Sequence, residues 1–216
     1  MARGVAAPRS IALTYDDGPN PDGTRRVLDL LAWRGVQATF FVWGEAAERH
    51  PEVVREVVAA GHSVQPHCFR HISHWERGRD EIAADIDTVM ELLRNLGAGP
   101  LTLWRPPYGR CLARATAEIA AERGLQLSGW TIDPRDYDGR DPVAMHDEVN
   151  KSLDPSRETV VLLHDGHREH GAQSRRPDAG NTVALTGLLL AEDENAFTVL
   201  DGGLVDGLGL GPPDGS

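Results

Sequence analysis

The stretch Ser10–Gly35, SIALTYDDGPNPDGTRRVLDLLAWRG, joins a largely apolar run to an amphipathic segment. Its first residues, Ser10–Tyr15, have the length and character of a buried strand. Thr24–Trp33 has helical periodicity and stops just before Gly35, a residue type that commonly follows a helix C-terminus. The stretch therefore predicts a strand, a loop that begins with two aspartates, and a helix.

The same alternation continues to about residue 200. The further predicted strands are Ala38–Val42, Ser63–Gln65, Leu101–Trp104, Gln126–Trp130, Thr159–His164 and Phe197–Leu200. The further predicted helices are Pro51–Ala60, Asp80–Leu96, Ala113–Arg123, Pro142–Lys151 and Asn181–Leu190. Because strands that alternate with helices form parallel βαβ units, the chain is predicted to be an α/β protein. Seven strands fit a distorted, slightly open (β/α)7 barrel with its active site at the C-terminal ends of the strands, and a doubly wound open sheet is the alternative.

The length of 216 residues and the mass of 23.5 kDa predict a single domain over residues 1–216, with its core between about 10 and 200. A chain of this size buries roughly 70% of its unfolded surface, so it needs no disulfide framework. Residues 201–216 are rich in glycine and proline and are predicted to form a frayed tail. Arg168–Gly180 is a polar loop of a length typical of functional or disordered segments, and its role is left open.

The composition excludes several classes of protein. The chain is 40% hydrophobic and 25% charged, which is typical of globular proteins and excludes a disordered or collagen-like chain. It has no apolar run long enough for a membrane span. The net charge of −11 argues against nucleic acid as a partner, because binding to phosphates requires a basic face.

Two further features concern location and assembly. The N-terminal segment MARGVAAPRS lacks the apolar core of a signal peptide. We therefore expect a cytoplasmic protein if Met1 is the native start, and a secreted one if a signal peptide was removed. Cys68 and Cys111 are too few for a disulfide framework, and the sequence leaves open both their pairing and the oligomeric state.

Polar side chains lie at the C-terminal ends of five predicted strands. They are Asp16 and Asp17, His67 and His71, Arg105, Asp133 and Asp136, and His164 and Asp165. In a β/α barrel these positions meet at one rim, where catalytic residues lie. Charged residues without a function would also fall on the outer faces of the helices. The concentration at the strand ends therefore predicts an active site.

Two of these strand ends together predict a metal site. His67 and His71 are four residues apart, so on a helical turn both rings would face the same way. Two histidines and one carboxylate form a ligand set for catalytic Zn²⁺ that leaves positions open for water and substrate. The same set suits Co²⁺, Ni²⁺ or Fe²⁺. Of the adjacent residues Asp16 and Asp17, one can bind the metal while the other holds the metal-bound water.

Five segments of the chain resemble the motifs of a known family. They are TYDDGP at Thr14–Pro19, HCFRH at His67–His71, RPPYG at Arg105–Gly109, DPRDY at Asp133–Tyr137 and LLH at Leu162–His164. In order and separation they resemble the five motifs of the polysaccharide deacetylases, the NodB homology domain of carbohydrate esterase family 4. The resemblance implies a metal-dependent hydrolase that removes acetyl groups from N-acetylated amino sugars, with a chitooligosaccharide or peptidoglycan-like saccharide as its substrate.

The resemblance implies roles for the residues of the first three motifs. Asp17, His67 and His71 would hold one divalent metal, for which zinc is the expected ion and cobalt, nickel and iron are the alternatives. Asp16 would be the general base that takes a proton from the metal-bound water. Arg105 would pair with Asp16 and orient it.

Further roles follow from the same resemblance. His164 would be the general acid that protonates the leaving amine, and Asp136 would pair with it. The backbone N–H of Tyr108 would help to stabilise the oxyanion. Tyr137 and Leu162 would line the pocket for the acetyl methyl group.

The chain departs from the family pattern at three positions, where Tyr15, Cys68 and Tyr137 replace the commoner Phe, Ser or Thr, and Trp. Because a thiol is a poor hydrogen-bonding group, Cys68 is expected to steady the second motif less well. Tyr137 is expected to reshape the pocket wall.

Two other functions stay open at the level of sequence. One is the same chemistry on a soluble small-molecule intermediate, which the missing signal sequence and the absence of a carbohydrate-binding module favour. The other is an inactive relative that binds glycan, against which the intact base, ligands and acid argue. Removal of O-acetyl groups uses the same set of residues and is also open.

Overall fold

The computed structural model of the chain describes residues 9–109, 113–166 and 179–204. Cys111, residues 168–178 of the predicted polar loop and residues 205–216 of the predicted tail lie outside the described residues. Within the described ranges, no helix is both long enough and apolar enough to cross a membrane.

Strands and helices alternate as the sequence predicts. The strands are β1 (Arg9–Asp16), β2 (Thr39–Trp43), β3 (Ser63–Cys68), β4 (Leu103–Trp104), β5 (Gln126–Leu127), β6 (Thr159–His164) and β7 (Asn195–Thr198). The helices are α1 (Gly23–Arg34), α2 (Gly44–Arg49), α3 (Pro51–Ala59), α4 (Arg79–Asn95), α5 (Ala113–Glu122), α6 (Pro142–Ser152) and α7 (Gly180–Ala191).

All the paired strands are parallel, which confirms the predicted α/β class. The larger sheet has the order β3-β2-β1-β6, and β7 also pairs with the first half of β1. Strands β4 and β5 form a separate two-stranded sheet. The arrangement agrees with a distorted (β/α)7 barrel, although no continuous backbone ladder closes it among the described residues.

The side chain of Gln65, in β3, bridges the gap between β3 and the segment that leads into β4. The amide oxygen of Gln65 accepts hydrogen bonds from the backbone N–H groups of Thr102 and Leu103, at 2.9 and 3.0 Å. Its NH₂ group donates to the carbonyl of Pro100 at 3.1 Å. A buried glutamine thus satisfies backbone groups that would otherwise need a neighbouring strand.

Several predicted boundaries were wrong. Strand β5 ends at Leu127 and does not reach Trp130, because the carbonyls of Ser128 and Gly129 accept hydrogen bonds from a buried arginine side chain. Strand β7 begins and ends two residues earlier than predicted. Helix α2 was missed, since six residues are too few to show helical periodicity.

The core follows the predicted apolar faces. Helix α4 buries the five apolar residues that the sequence placed on one face: Ile82, Ile86, Val89, Met90 and Leu93. They belong to one hydrophobic cluster with alternate side chains of β1, β2 and β6, among them Ile11, Leu13 and Tyr15 of β1. This packing holds the strands in place, and the strands carry the polar side chains at their C-terminal ends.

Truncating a side chain of this face should destabilise the fold. Val89 is fully buried, so Val89→Ala is expected to lower the free energy of unfolding by about 2 kcal/mol, through lost burial and a residual cavity. Val143 is 56% exposed, so Val143→Ala should change it by less than about 0.5 kcal/mol. Urea denaturation of both variants measures the difference, and equal effects would contradict the described core.

Candidate metal-dependent active site

An open cavity of about 330 Å³ lies at the C-terminal ends of the strands. Its lining residues are Asp16, Asp17, His67, His71, Tyr108, Gly109, Trp130, Asp133, Tyr137, Leu162 and His164. Residues from distant parts of the chain therefore meet at one rim, as the sequence predicts. Asp165 does not, since it is buried beneath the loop after β1, where Thr24 donates a hydrogen bond to it.

Asp17, His67 and His71 form a group that could hold a metal ion. Their ligand atoms all lie within 4.8 Å of one another. Oδ1 of Asp17 is 3.4 Å from Nε2 of His67 and 3.0 Å from Nε2 of His71, and the two Nε2 atoms are 3.0 Å apart. A tetrahedral Zn²⁺ ion with bonds of about 2.0–2.1 Å holds its ligands roughly 3.3 Å apart, so the donor set and its spacing fit such an ion.

The two imidazoles converge by a different route from the one predicted. His67 lies inside β3, and His71 follows three residues after the strand ends, in a segment that is not helical. The expectation that a helical turn aligns them was wrong. The chain turns after Cys68, and this turn brings the two ring centroids to 4.9 Å from each other.

Backbone geometry allows two consecutive aspartates to serve one cavity. Asp16 ends β1 in extended conformation, and Asp17 has a left-handed φ of 69°. Aspartate tolerates this conformation better than most residues. Burial by itself would raise the pKa of Asp17, but His71 and His67 hold the pKa of this carboxyl well below its usual value.

Asp16 is held by a buried arginine. Nη1 of Arg105 donates to Oδ1 of Asp16 at 2.8 Å, and Oδ2 of Asp16 is 4.0 Å from Nδ1 of His67. Arg105 is fully buried, so it lies beneath the cavity and not on its rim. Burial lowers the pKa of Arg105, and the Asp16 carboxylate opposes that effect.

His164, at the end of β6, pairs in register with Asp16 of the neighbouring strand β1 and is held by Asp136. Nδ1 of His164 donates to one oxygen of Asp136 at 2.9 Å, and the other oxygen accepts from the His164 backbone N–H at 2.8 Å and from the Thr182 hydroxyl at 2.6 Å. Burial alone would lower the pKa of His164, but the Asp136 carboxylate raises it to about 9, with help from Asp17 and Asp16. Asp136 is buried behind His164 and does not line the cavity.

The predicted pocket residues line the cavity. Tyr108 has a left-handed φ of 59°, and its ring meets the His71 imidazole edge-on at 4.7 Å. The Tyr137 ring meets the His164 imidazole edge-on at 5.1 Å, and its hydroxyl donates to Asp133 at 3.1 Å. Leu162 gives the cavity an apolar aliphatic surface.

Sequence reasoning missed two cavity residues, Gly109 and Trp130. Trp130 comes at the end of the predicted fifth strand, which is the same kind of position that identified the charged residues. Polar side chains at strand ends were the signal for the site, and a tryptophan does not give that signal.

The pair of His164 and Asp136 predicts a measurable titration. In metal-free protein the pKa of His164 should be about 9, and Asp136→Asn should lower that pKa, because the carboxylate charge is lost while the burial remains. Imidazole NMR signals followed against pH measure both values. Since the folded-state pKa exceeds the usual 6.5, the pair stabilises the fold below that pH and loses this contribution as the pH rises through about 9. An ordinary or lowered value in the native chain would contradict the described pair.

Comparisons with known proteins give one family. Residues 3–128 match the family model described as Polysaccharide deacetylase. A chitooligosaccharide deacetylase of Sinorhizobium fredii is 37% identical over 164 residues, which cover 76% of this chain and 74% of that protein. A peptidoglycan-N-acetylglucosamine deacetylase of Bacillus cereus is 35% identical over 187 residues, which cover 84% of this chain and 80% of that protein.

Solved structures show the same architecture. A family 4 carbohydrate esterase from Streptomyces lividans, in complex with acetate, superposes with a TM-score of 0.73 at 28% identity, and the match covers 86% of this chain and 88% of that one. A peptidoglycan N-acetylglucosamine deacetylase superposes with a TM-score of 0.77 at 27% identity, over 91% of this chain and 88% of that one. The likeness of fold therefore extends over most of the chain.

Proposed function

Since this chain belongs to the polysaccharide deacetylase family, we propose that it hydrolyses the acetamido group of N-acetylated amino sugars in a chitooligosaccharide or peptidoglycan-like saccharide. The main support for the proposal is the set of side chains that lines the cavity. Its lining combines a two-histidine, one-carboxylate group, a second carboxylate and a carboxylate-paired imidazole. Amide hydrolysis needs these parts: a polarised carbonyl, an activated water, and a proton for the leaving amine.

The metal would be held by Asp17, His67 and His71, and we propose zinc as the ion. A bound divalent ion supplies Lewis acidity toward the acetyl carbonyl and lowers the pKa of a water molecule. The donor set of nitrogen and oxygen ligands, which leaves open positions, suits catalytic zinc. Cobalt, nickel or iron would suit the same donors.

Asp16 is proposed as the general base. Its Oδ1 accepts a hydrogen bond from Arg105, so the carboxylate is held in one orientation at the edge of the cavity. It accepts a proton from the attacking water as the water oxygen bonds to the acetyl carbon. The backbone N–H of Tyr108 is proposed to donate to the oxyanion that forms on the carbonyl oxygen.

His164 is proposed as the general acid. Asp136 holds the imidazole in place and keeps it protonated at neutral pH, as an acid must be. It donates its proton to the sugar nitrogen as the C–N bond breaks, which yields acetate and a free amine. Leu162 and Tyr137 are proposed to enclose the acetyl methyl group.

Acetate release tests the proposal. Zinc-loaded protein should release acetate from N-acetylglucosamine oligomers. Asp16→Asn should bind zinc normally and lose about 10²–10⁴-fold in turnover, because the amide still accepts from Arg105 but takes no proton. An enzymatic acetate assay and a zinc titration measure the two properties separately.

Metal-ligand variants complete the test. Asp17→Ala and His71→Ala should abolish zinc binding and acetate release together. Full turnover by Asp16→Asn would contradict the assigned base. Zinc-loaded native protein that releases no acetate from either chitooligosaccharides or peptidoglycan fragments would contradict the proposed substrate class.

A further inference from the structure

The turn between the two metal-site histidines is bound by a carboxylate from a distant helix. Asp85, in the second turn of α4, accepts hydrogen bonds from the backbone N–H groups of Phe69 and Arg70, at 2.6 and 2.9 Å. Arg77 donates to the same carboxylate at 2.9 Å. The side chains of Arg77 and Asp85 are only 9% and 10% exposed. Hydrogen bonds to a charged, largely buried acceptor are stronger than neutral ones.

These bonds act on the segment that decides where His71 lies. The two N–H groups belong to the residues between the end of β3 and His71, so their direction sets the course of the chain as it leaves the strand. From the other side, the backbone N–H of Glu45 donates to the carbonyl of Phe69 at 3.1 Å. Gly44 lies so close to Phe69 that a Cβ atom there would have no room. The turn is therefore held between α2 and α4.

Asp87, another acidic residue of helix α4, makes different contacts. Asp87 is 58% exposed, and the hydrogen bonds of its carboxylate in the described chain come from Arg123, at 2.6 and 2.7 Å. The helix docks on the core through its apolar face, of which Ile86 is fully buried. Neither carboxylate belongs to that apolar face, so the two offer a comparison on one helix.

We infer that Asp85 is a positioning residue for the second histidine of the metal site. Its carboxylate fixes the turn so that Nε2 of His71 meets Nε2 of His67 and Oδ1 of Asp17. This inference rests on the metal site of the proposed function. Partners that orient ligands in this indirect way contribute to metal affinity because the ligands are then arranged before the ion arrives.

Metal titration of the full chain tests the inference without any substrate. Protein stripped of metal by a chelator is titrated with Zn²⁺ against a chromophoric competitor, and with Co²⁺ followed by visible absorption. Asp85→Ala should weaken Zn²⁺ binding about 10–100-fold and change the Co²⁺ spectrum. Asp85→Asn should weaken binding less, because its amide oxygen accepts one of the two N–H groups and its NH₂ faces the other. Asp87→Ala and Asp87→Asn should leave affinity and spectrum unchanged.

A purely structural role gives a different result. It would lower the unfolding midpoint of the Asp85 variants while the folded protein kept native affinity and the native Co²⁺ spectrum, and that result would overturn the inference. If Asp85→Ala does not fold, Asp85→Asn decides the question on the same terms. A wrong substrate assignment can be distinguished from a wrong role for Asp85. It would leave the metal titrations as predicted, while acetate release would be absent. Native protein that binds neither ion would overturn both.

Discussion

A fully buried arginine between two sheets governs the rest of the site. The guanidinium of Arg105 donates to Asp16 and Thr14 of β1, and to the carbonyls that follow β5. Its Cζ atom lies over the ring of Phe41, 4.1 Å from the ring centroid. A buried charge is costly unless it is paired and hydrogen-bonded, so these contacts have to form together. They connect strands that have no backbone ladder between them, and they fix Asp16 where the cavity opens.

The left-handed backbone of Asp17 then separates two carboxylates that are neighbours in sequence. Asp16 faces the arginine, while Asp17 faces His67 and His71. The loops after β1 and β6 are also in close contact, because Gly166 lies where a Cβ atom would overlap the carbonyl of Asp17. Asp16, the proposed base, and His164, the proposed acid, are register partners on the paired strands β1 and β6, so their separation is fixed. A proton taken by one residue and a proton given by the other require such a fixed separation.

The sequence predicts the elements well where one short pattern decides the structure. Strand β6 has the predicted bounds because TVVLLH is a nearly uninterrupted apolar run, and α4 has the predicted face because its apolar spacing is regular. Local sequence patterns do not predict the structure where contacts with residues elsewhere in the chain determine it. Strand β5 stops early because its next carbonyls go to Arg105, and His67 meets His71 through a turn that is held by Asp85. The site residues could be found from their positions at strand ends, but the bonds that orient them could not.

The central claim is that Asp17, His67 and His71 form the metal site while Asp16 stays on Arg105. A crystal structure of the zinc-loaded protein tests it most directly. We expect one zinc ion bound by the Asp17 carboxylate and by Nε2 of both histidines, with the hydrogen bond between Asp16 and Arg105 intact. Zinc bound by Asp16, by the sulfur of Cys68, or at a place away from the cavity would contradict it.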